Sequence, residues 1–365
     1  MATLPSLSSS INSVQLDSKR KEDGEEQTAK PSQEFDDLIS TLPLDEGLVP
    51  MRLRQYQGVW IPEHFLRGII AVRQRFTARP DDLLLLSYPK SGTTWLKALA
   101  FTIRTRTQHS LARHPLLSLN PHQCVESLDR LFFLGKLSSV EPQPSPRIFS
   151  SHAPYSLLSE SIKGSGCRII YVCRDPKDVF VSRWHFNAKL GSKTDKEPIP
   201  LARAFEMFCE GVCPFGLIWE HALGYWKESL GRPGKVLFLK YEELMEKPVA
   251  NVKRMAEFIG CPFSPEEEKQ GVVEELVRLC SFENLSNLEI NATGVINAKA
   301  PTAPPTFASF FRKGKVGDWR NLLSPKMAQR LDEITQERLK GSGLTLGRTW
   351  LEAATLMDEN PVHQV

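Results

Sequence analysis

Three segments of this chain gather residue types that hold anions. The first is Tyr88-Pro89-Lys90-Ser91-Gly92-Thr93-Thr94-Trp95. Gly92 lets the backbone turn and come close to a ligand. The amides of Gly92, Thr93, Thr94 and Trp95 then stand at a helix N-terminus, where unpaired N–H groups and the helix dipole favour negative charge. Ser91, Thr93 and Thr94 add hydroxyl donors, and Lys90 adds a positive charge. Together these residues read as a phosphate cradle. It is not a Walker A loop, because Lys90 precedes the glycine and the first glycine of that motif is missing. The plain alternative is a Ser/Thr-capped helix following a strand.

The second segment is Arg174-Asp175-Pro176-Lys177-Asp178, leading to Ser182, Arg183 and Trp184. Pro176 suits the first position of a helix, with Asp175 as its N-cap. Arg174 follows an apolar run, and Ser182 lies eight residues on, about two helical turns away. An Arg and a Ser so placed can hold a second phosphate through charge-assisted hydrogen bonds. A capped helix with Arg174 paired to Asp178 is the competing reading. The third segment, Phe310-Phe311-Arg312-Lys313-Gly314-Lys315-Val316-Gly317-Asp318-Trp319, puts three cations within four residues beside two glycines and flanking aromatics. That suits an anion clamp, although charge runs are usually solvated turns.

Three apolar runs have the length of buried strands: Leu83–Ser87, Arg168–Cys173 and Val236–Leu239. Helical spacing follows the first two, in Trp95, Leu96, Leu99 and Ile103 and then in Val179, Phe180, Trp184 and Phe186. After the third, 242–245 and 252–259 read as helix. Strands alternating with helices, uncut by hairpin signals, predict an α/β fold: a central parallel sheet flanked by helices on both faces. Ligands of such sheets sit beyond the carboxyl ends of the strands, which is where the first two cationic segments begin.

Composition bounds the rest. The chain has 365 residues, 41% hydrophobic and 24% charged, which excludes a fibrous, rod-like or wholly disordered protein. Lys plus Arg is 46 against 43 for Asp plus Glu, a net charge of +3. No aromatic-basic stripe appears, so a nucleic-acid module is the weakest class. Residues 1–34 hold no aromatic residue and are rich in Ser, Lys, Glu and Gln, which predicts a flexible tail. Its first sixteen residues are Ser-rich and free of acids, but they contain no Arg and run into Glu22, Asp23, Glu25 and Glu26. No apolar stretch is long enough to span a membrane. Seven cysteines, an odd number, read as reduced thiols. The expectation is a cytoplasmic protein. Cys209 and Cys213 are four apart and can meet on one helix face, as structural thiols rather than a zinc site. His221 reads as core or rim packing. Phe132, Phe133, Trp184, His185 and Phe186 suit either an apolar ligand pocket or the core. The stretch from Asn287 to Phe307 has no clear period and reads as a mobile gate.

The three cationic segments, in this order, resemble the signature segments of cytosolic sulfotransferases. Cys280-Ser281-Phe282-Glu283-Asn284-Leu285 is most similar to the plant branch, where flavonoid-type sulfotransferases belong. The resemblance runs from about Phe35 to Leu346. It implies a P-loop-like three-layer α/β fold, residues 35–365 forming a single domain, and transfer of a sulfuryl group from 3′-phosphoadenosine 5′-phosphosulfate (PAPS) to a small hydroxylated acceptor, leaving adenosine 3′,5′-bisphosphate (PAP). By the same resemblance Lys90, Ser91, Gly92, Thr93, Thr94 and Trp95 hold the 5′-phosphosulfate, with Trp95 also on the adenine. Arg174 and Ser182 match 3′-phosphate ligands. Tyr241 and Phe282 match aromatics beside the base. Arg312, Lys313 and Gly314 match the segment that closes over the 3′-phosphate.

His152, in Phe149-Ser150-Ser151-His152-Ala153-Pro154, corresponds to the family's catalytic base. A neutral imidazole suits that task, since it takes the acceptor proton as attack proceeds. Lys90 then stabilises charge growing toward the leaving phosphate. No metal is implied. Some relatives carry a Lys two residues before the His; here that residue is Ser150, so that contribution is missing or falls to Lys90. The family's dimer-forming stretch is not recognisable, which leaves oligomeric state open. The acceptor also stays open among phenolics such as flavonoids, steroids, hydroxylated jasmonates and desulfoglucosinolates. Two other readings compete: a P-loop-like ATP-dependent kinase, against which the loop ending speaks, and a catalytically silent nucleotide-binding protein, against which Lys90 and His152 speak.

Overall fold

The computed structural model describes residues 34–48, 51–191, 199–295 and 306–347. The predicted tail 1–34 lies outside these residues except for Glu34, which opens helix α1 (Glu34–Thr41). An antiparallel meander follows: β1 (Leu44–Leu48), β2 (Met51–Tyr56) and β3 (Val59–Pro62). The turn between β2 and β3 holds Gln57 at φ 50° and Gly58 at φ 80°. Two successive positive-φ residues match the twist of a tight hairpin. Leu53 and Ile61 point inward from the meander and are fully buried against helix α2 (Glu63–Arg75). The sequence reading contained no hairpin, so this sheet corrects it. Gln in place of Asn or Asp before the glycine had hidden the turn signal.

The remaining strands form the expected parallel sheet. They are β4 (Leu83–Ser87), β5 (Ile148–Ser151), β6 (Arg168–Cys173) and β7 (Val236–Lys240), in the spatial order β5-β4-β6-β7. All neighbouring pairs are parallel. Successive side chains along each strand face opposite sides. Leu84, Leu86, Ile169, Tyr171 and Phe238 therefore join one core with α2 and helix α6 (Ile218–Gly231). Leu83, Leu85, Ile170, Val172 and Leu239 join the other, with helix α3 (Thr93–Thr105) and helix α7 (Pro248–Ile259). Helices on both faces of the sheet give the predicted three layers.

Two further helices carry site residues. Helix α4 (Leu128–Phe133) precedes β5, and helix α5 (Pro176–Gly191) follows β6. Asp175 caps α5 as expected, its Oδ1 accepting from the Lys177 amide at 2.9 Å. The helix bearing Cys209 ends at Glu210, so Cys213 is not on one face with it. Cys213 instead lies 3.1 Å from the Tyr88 hydroxyl. Part of the predicted gate, 296–305, lies outside the described residues. On either side of it, Glu289–Thr293 is helical and Val295 bridges Thr306.

Candidate active site

The strand ends set the site. Ser87, Ser151, Cys173 and Lys240 finish four adjacent parallel strands, so the residues that follow them share one edge of the sheet. After β4 the backbone turns through two positive-φ residues, Lys90 at 73° and Gly92 at 108°. Gly92 must be glycine on two counts. Its φ is left-handed, and a Cβ there would lie 2.8 Å from the Tyr241 ring. The turn delivers Thr93 as the first residue of α3, so the free amides of that helix face the strand edge. Thr93 Oγ1 pairs with Ser87 Oγ at 2.6 Å, which ties the loop back to its own strand.

Lys90 Nζ sits 4.2 Å from the centre of the Phe186 ring and 5.9 Å from that of Phe310. Burial, with the nearby Arg174 and Arg312 guanidiniums, lowers its ammonium to a pKa of about 7. Phe186 thus belongs to the site, whereas Phe132 is core, packed edge-on against Phe76.

His152 directly follows β5. Its Nδ1 lies 2.7 Å from the Ser87 carbonyl, an acceptor only, so Nδ1 carries the proton and donates. Nε2 is then left with its lone pair, the form a general base needs. Burial lowers the imidazole pKa to about 4, against the raising effect of that carbonyl bond, so His152 is neutral at neutral pH. His221 is buried as expected, but it also does a specific job. Its Nε2 donates to the His152 carbonyl at 3.0 Å while Nδ1 accepts from Tyr171 at 2.9 Å. Tyr225 donates to the Ala153 carbonyl at 2.7 Å. These bonds fix the backbone under the imidazole.

Two further predicted residues, Trp95 and Arg174, meet at Tyr241, the first residue after β7. Its ring meets Trp95 edge-on at 5.7 Å and carries the Arg174 guanidinium at 4.5 Å. Arg174 donates to the Lys315 carbonyl at 2.8 Å and also lies 3.4 Å from Asp178. Asp178 in turn accepts from the amides of Gly317, at 2.7 Å, and Trp319, at 3.0 Å. The third cationic segment is therefore docked on the start of α5. Arg312 and Lys313 both pair with Asp318. Burial tends to raise the Asp318 carboxyl, but hydrogen bonds from Lys313, Arg312 and Asn321 outweigh it and bring the pKa down to about 2. Gly314, at φ 63°, abuts Phe282 so closely that a Cβ would lie 2.4 Å from the ring. Ser182 is buried within α5.

Four buried polar atoms here have no hydrogen-bond partner among the described residues: Ser91 Oγ, Trp95 Nε1, Arg174 Nε and Arg312 Nε. Buried polar groups are normally paired, so four orphans in one neighbourhood mark a place built to meet a ligand's acceptors.

Sequence reasoning missed four residues that the structure brings to this site. Lys97 and His122 hydrogen-bond at 3.0 Å, and His122 reaches Thr94. Asp178 was read only as an ion-pair partner. Phe215, in the left-handed region at φ 69°, places its ring 5.4 Å from that of His152. Its amide donates to the Trp60 carbonyl of β3 at 2.7 Å, so the unforeseen meander anchors it. The signal for His122 was available in Asn120-Pro121-His122-Gln123, an N-cap with proline and a capping-box glutamine, which forms the short helix Pro121–Cys124.

Comparison with known proteins converges on one family. The sulfotransferase domain profile matches residues 80–343. Cytosolic sulfotransferase 8 of Arabidopsis thaliana is 44% identical over 319 residues, covering 86% of this chain and 94% of the relative. Cytosolic sulfotransferase 16 of the same plant is 42% identical, covering 90% and 98%. Among solved structures, an Arabidopsis thaliana sulphotransferase superposes with a TM-score of 0.67 at 37% identity, covering 85% of this chain and 94% of that one. A mouse sulfotransferase complexed with PAP superposes with a TM-score of 0.61 at 25% identity, covering 80% and 96%.

Proposed function

The chain belongs to the sulfotransferase family, and from that membership we propose that it takes its sulfuryl group from PAPS and delivers it to a hydroxyl of a small metabolite in the cytoplasm. The observation that carries the donor assignment is the cluster of orphaned donors on Ser91, Trp95, Arg174 and Arg312, set among the cations Lys90 and Lys313. A nucleotide with phosphate groups at both its 3′ and 5′ positions supplies acceptors for all of them. The mouse relative complexed with PAP supports the same reading. In this reading Lys90 to Trp95 hold the 5′ side. Arg174, Ser182, Arg312, Lys313 and Gly314 hold the 3′-phosphate. Tyr241, Phe282 and Trp95 flank the base.

His152 acts as the base. Its Nε2 takes the acceptor proton while the acceptor oxygen bonds to sulfur. The bond from sulfur to the bridging phosphate oxygen breaks, and Lys90 and the loop amides balance the charge left on that oxygen. Phe215 and Phe65, with rings 5.7 Å apart, offer an apolar wall on the acceptor side of His152.

Calorimetric titration with PAP, with ATP and Mg²⁺ as comparison, tests the donor. PAP is expected to bind tightly and ATP weakly. Arg174→Ala is expected to lose about tenfold or more in PAP affinity, the scale of a charge-assisted hydrogen bond. His152→Ala is expected to keep PAP binding but to lose about 10²–10⁴ in PAPS turnover with a panel of hydroxylated acceptors. Binding of ATP alone would move the kinase reading to the front.

A further inference from the structure

Lys97 lies on the second turn of α3 and is only 2% exposed. Its Nζ donates to the Val125 carbonyl at 2.9 Å and lies 3.0 Å from His122 Nδ1. Burial, with the nearby Arg130, lowers the Lys97 ammonium to a pKa of about 7; in that charged form it has donors only, so Nδ1 accepts. The imidazole proton is then on Nε2, which lies 3.0 Å from Thr94 Oγ1. Thr94 therefore receives a hydrogen bond from His122, and its own hydroxyl hydrogen is left over. Later on α3 two threonines spend that hydrogen on the preceding turn: Thr102 donates to Ala98 and Thr105 to Phe101, both at 2.8 Å.

His122 is itself immobilised. Asn120 Oδ1 accepts from its amide at 2.8 Å, and its ring stacks on Phe310 at 4.2 Å. Phe310 is also one of the two rings beside Lys90. The array thus borders the phosphate loop.

We propose that Lys97 and His122 are positioning residues that fix the Thr94 hydroxyl as a donor to the 5′-phosphate group of the nucleotide. The relay runs from the Lys97 ammonium to His122 Nδ1, and from His122 Nε2–H to Thr94 Oγ1. It turns a rotatable hydroxyl into a fixed donor strengthened by a buried cation two bonds away. This inference rests on the loop being the donor site.

The test is a double-mutant cycle read by PAP affinity in calorimetry, with circular dichroism and melting curves to confirm folding. Thr94→Val, His122→Leu and Lys97→Met are each expected to weaken PAP binding, Thr94→Val by about tenfold. In the Thr94→Val background, His122→Leu and Lys97→Met are expected to cost nothing more. His122→Gln, whose amide can still donate to Thr94, is expected to stay within about threefold of the parent. Independent, multiplying losses would overturn the relay, as would a Gln variant no better than the Leu variant. A parent protein that binds no PAP would instead overturn the donor-site reading beneath it.

Discussion

Lys90 is held at the edge of losing its proton. Burial and the neighbouring cations Arg174, Arg312, Lys189 and Arg183 oppose its charge and bring it to a pKa of about 7. A bound bisphosphate reverses that balance, because an anion within hydrogen-bond reach favours the ammonium. The pKa is depressed in the free protein and rises on binding, so binding takes up a proton at pH values above about 7. Calorimetry at pH 8 in two buffers of different ionisation enthalpy should show net uptake on PAP binding. Lys90→Met should remove most of it, and no uptake in the parent would mean that Lys90 is already charged. Lys90 was a candidate in the sequence because it sits in a strand-to-helix loop with free amides and hydroxyls, and His152 only through the family resemblance. Lys97 and His122 were not, since one reads as a helix lysine and the other as part of a capped turn. Only the packing of Pro121–Cys124 against α3 brings their nitrogens together.

The elements explain how distant motifs become one site. Parallel strands deliver the loops after β4, β6 and β7 to the same edge, and the strand and helix runs of the sequence were sufficient to predict that. The approach of 312–314 to Arg174 was implied only by the family resemblance, and its anchoring through Asp178 on two backbone amides was not foreseen. The meander escaped for a local reason, its Gln57-Gly58 turn, yet it holds Phe215 beside His152. A glycine comparison tests the late segment. Gly314 and Gly343 both have left-handed φ, 63° and 72°, but a Cβ meets Phe282 at the first and nothing within 4 Å at the second. Either change to Ala should cost about 1–2 kcal/mol of stability from the backbone alone. Gly314→Ala should in addition weaken PAP binding about tenfold or more, the scale of one lost charge-assisted contact, and Gly343→Ala should leave it unchanged. Equal PAP affinities in the two variants would remove Phe282 and Gly314 from the nucleotide site.

For the molecule as a whole, the near-balance of charge conceals a concentrated cationic site. Net charge is +3, yet Lys90, Arg174, Arg312 and Lys313 gather on one sheet edge. Bringing like charges together opposes folding, and an anion that neutralises them should stabilise the native state by mass action. PAP at a hundredfold excess over its Kd should add about 2.7 kcal/mol, raising the melting temperature by several degrees or so. Arg174→Ala should blunt that rise at the same PAP concentration, and an unchanged response would place the ligand elsewhere. The clamp of Asp178 on the Gly317 and Trp319 amides has one more consequence. It joins residues about 140 positions apart, so the proposed nucleotide site stays incomplete on the ribosome until residue 319 has emerged from the exit tunnel. In the proposed reading, the donor nucleotide meets its full set of partners only after both Asp178 and the 317–319 amides have been synthesised.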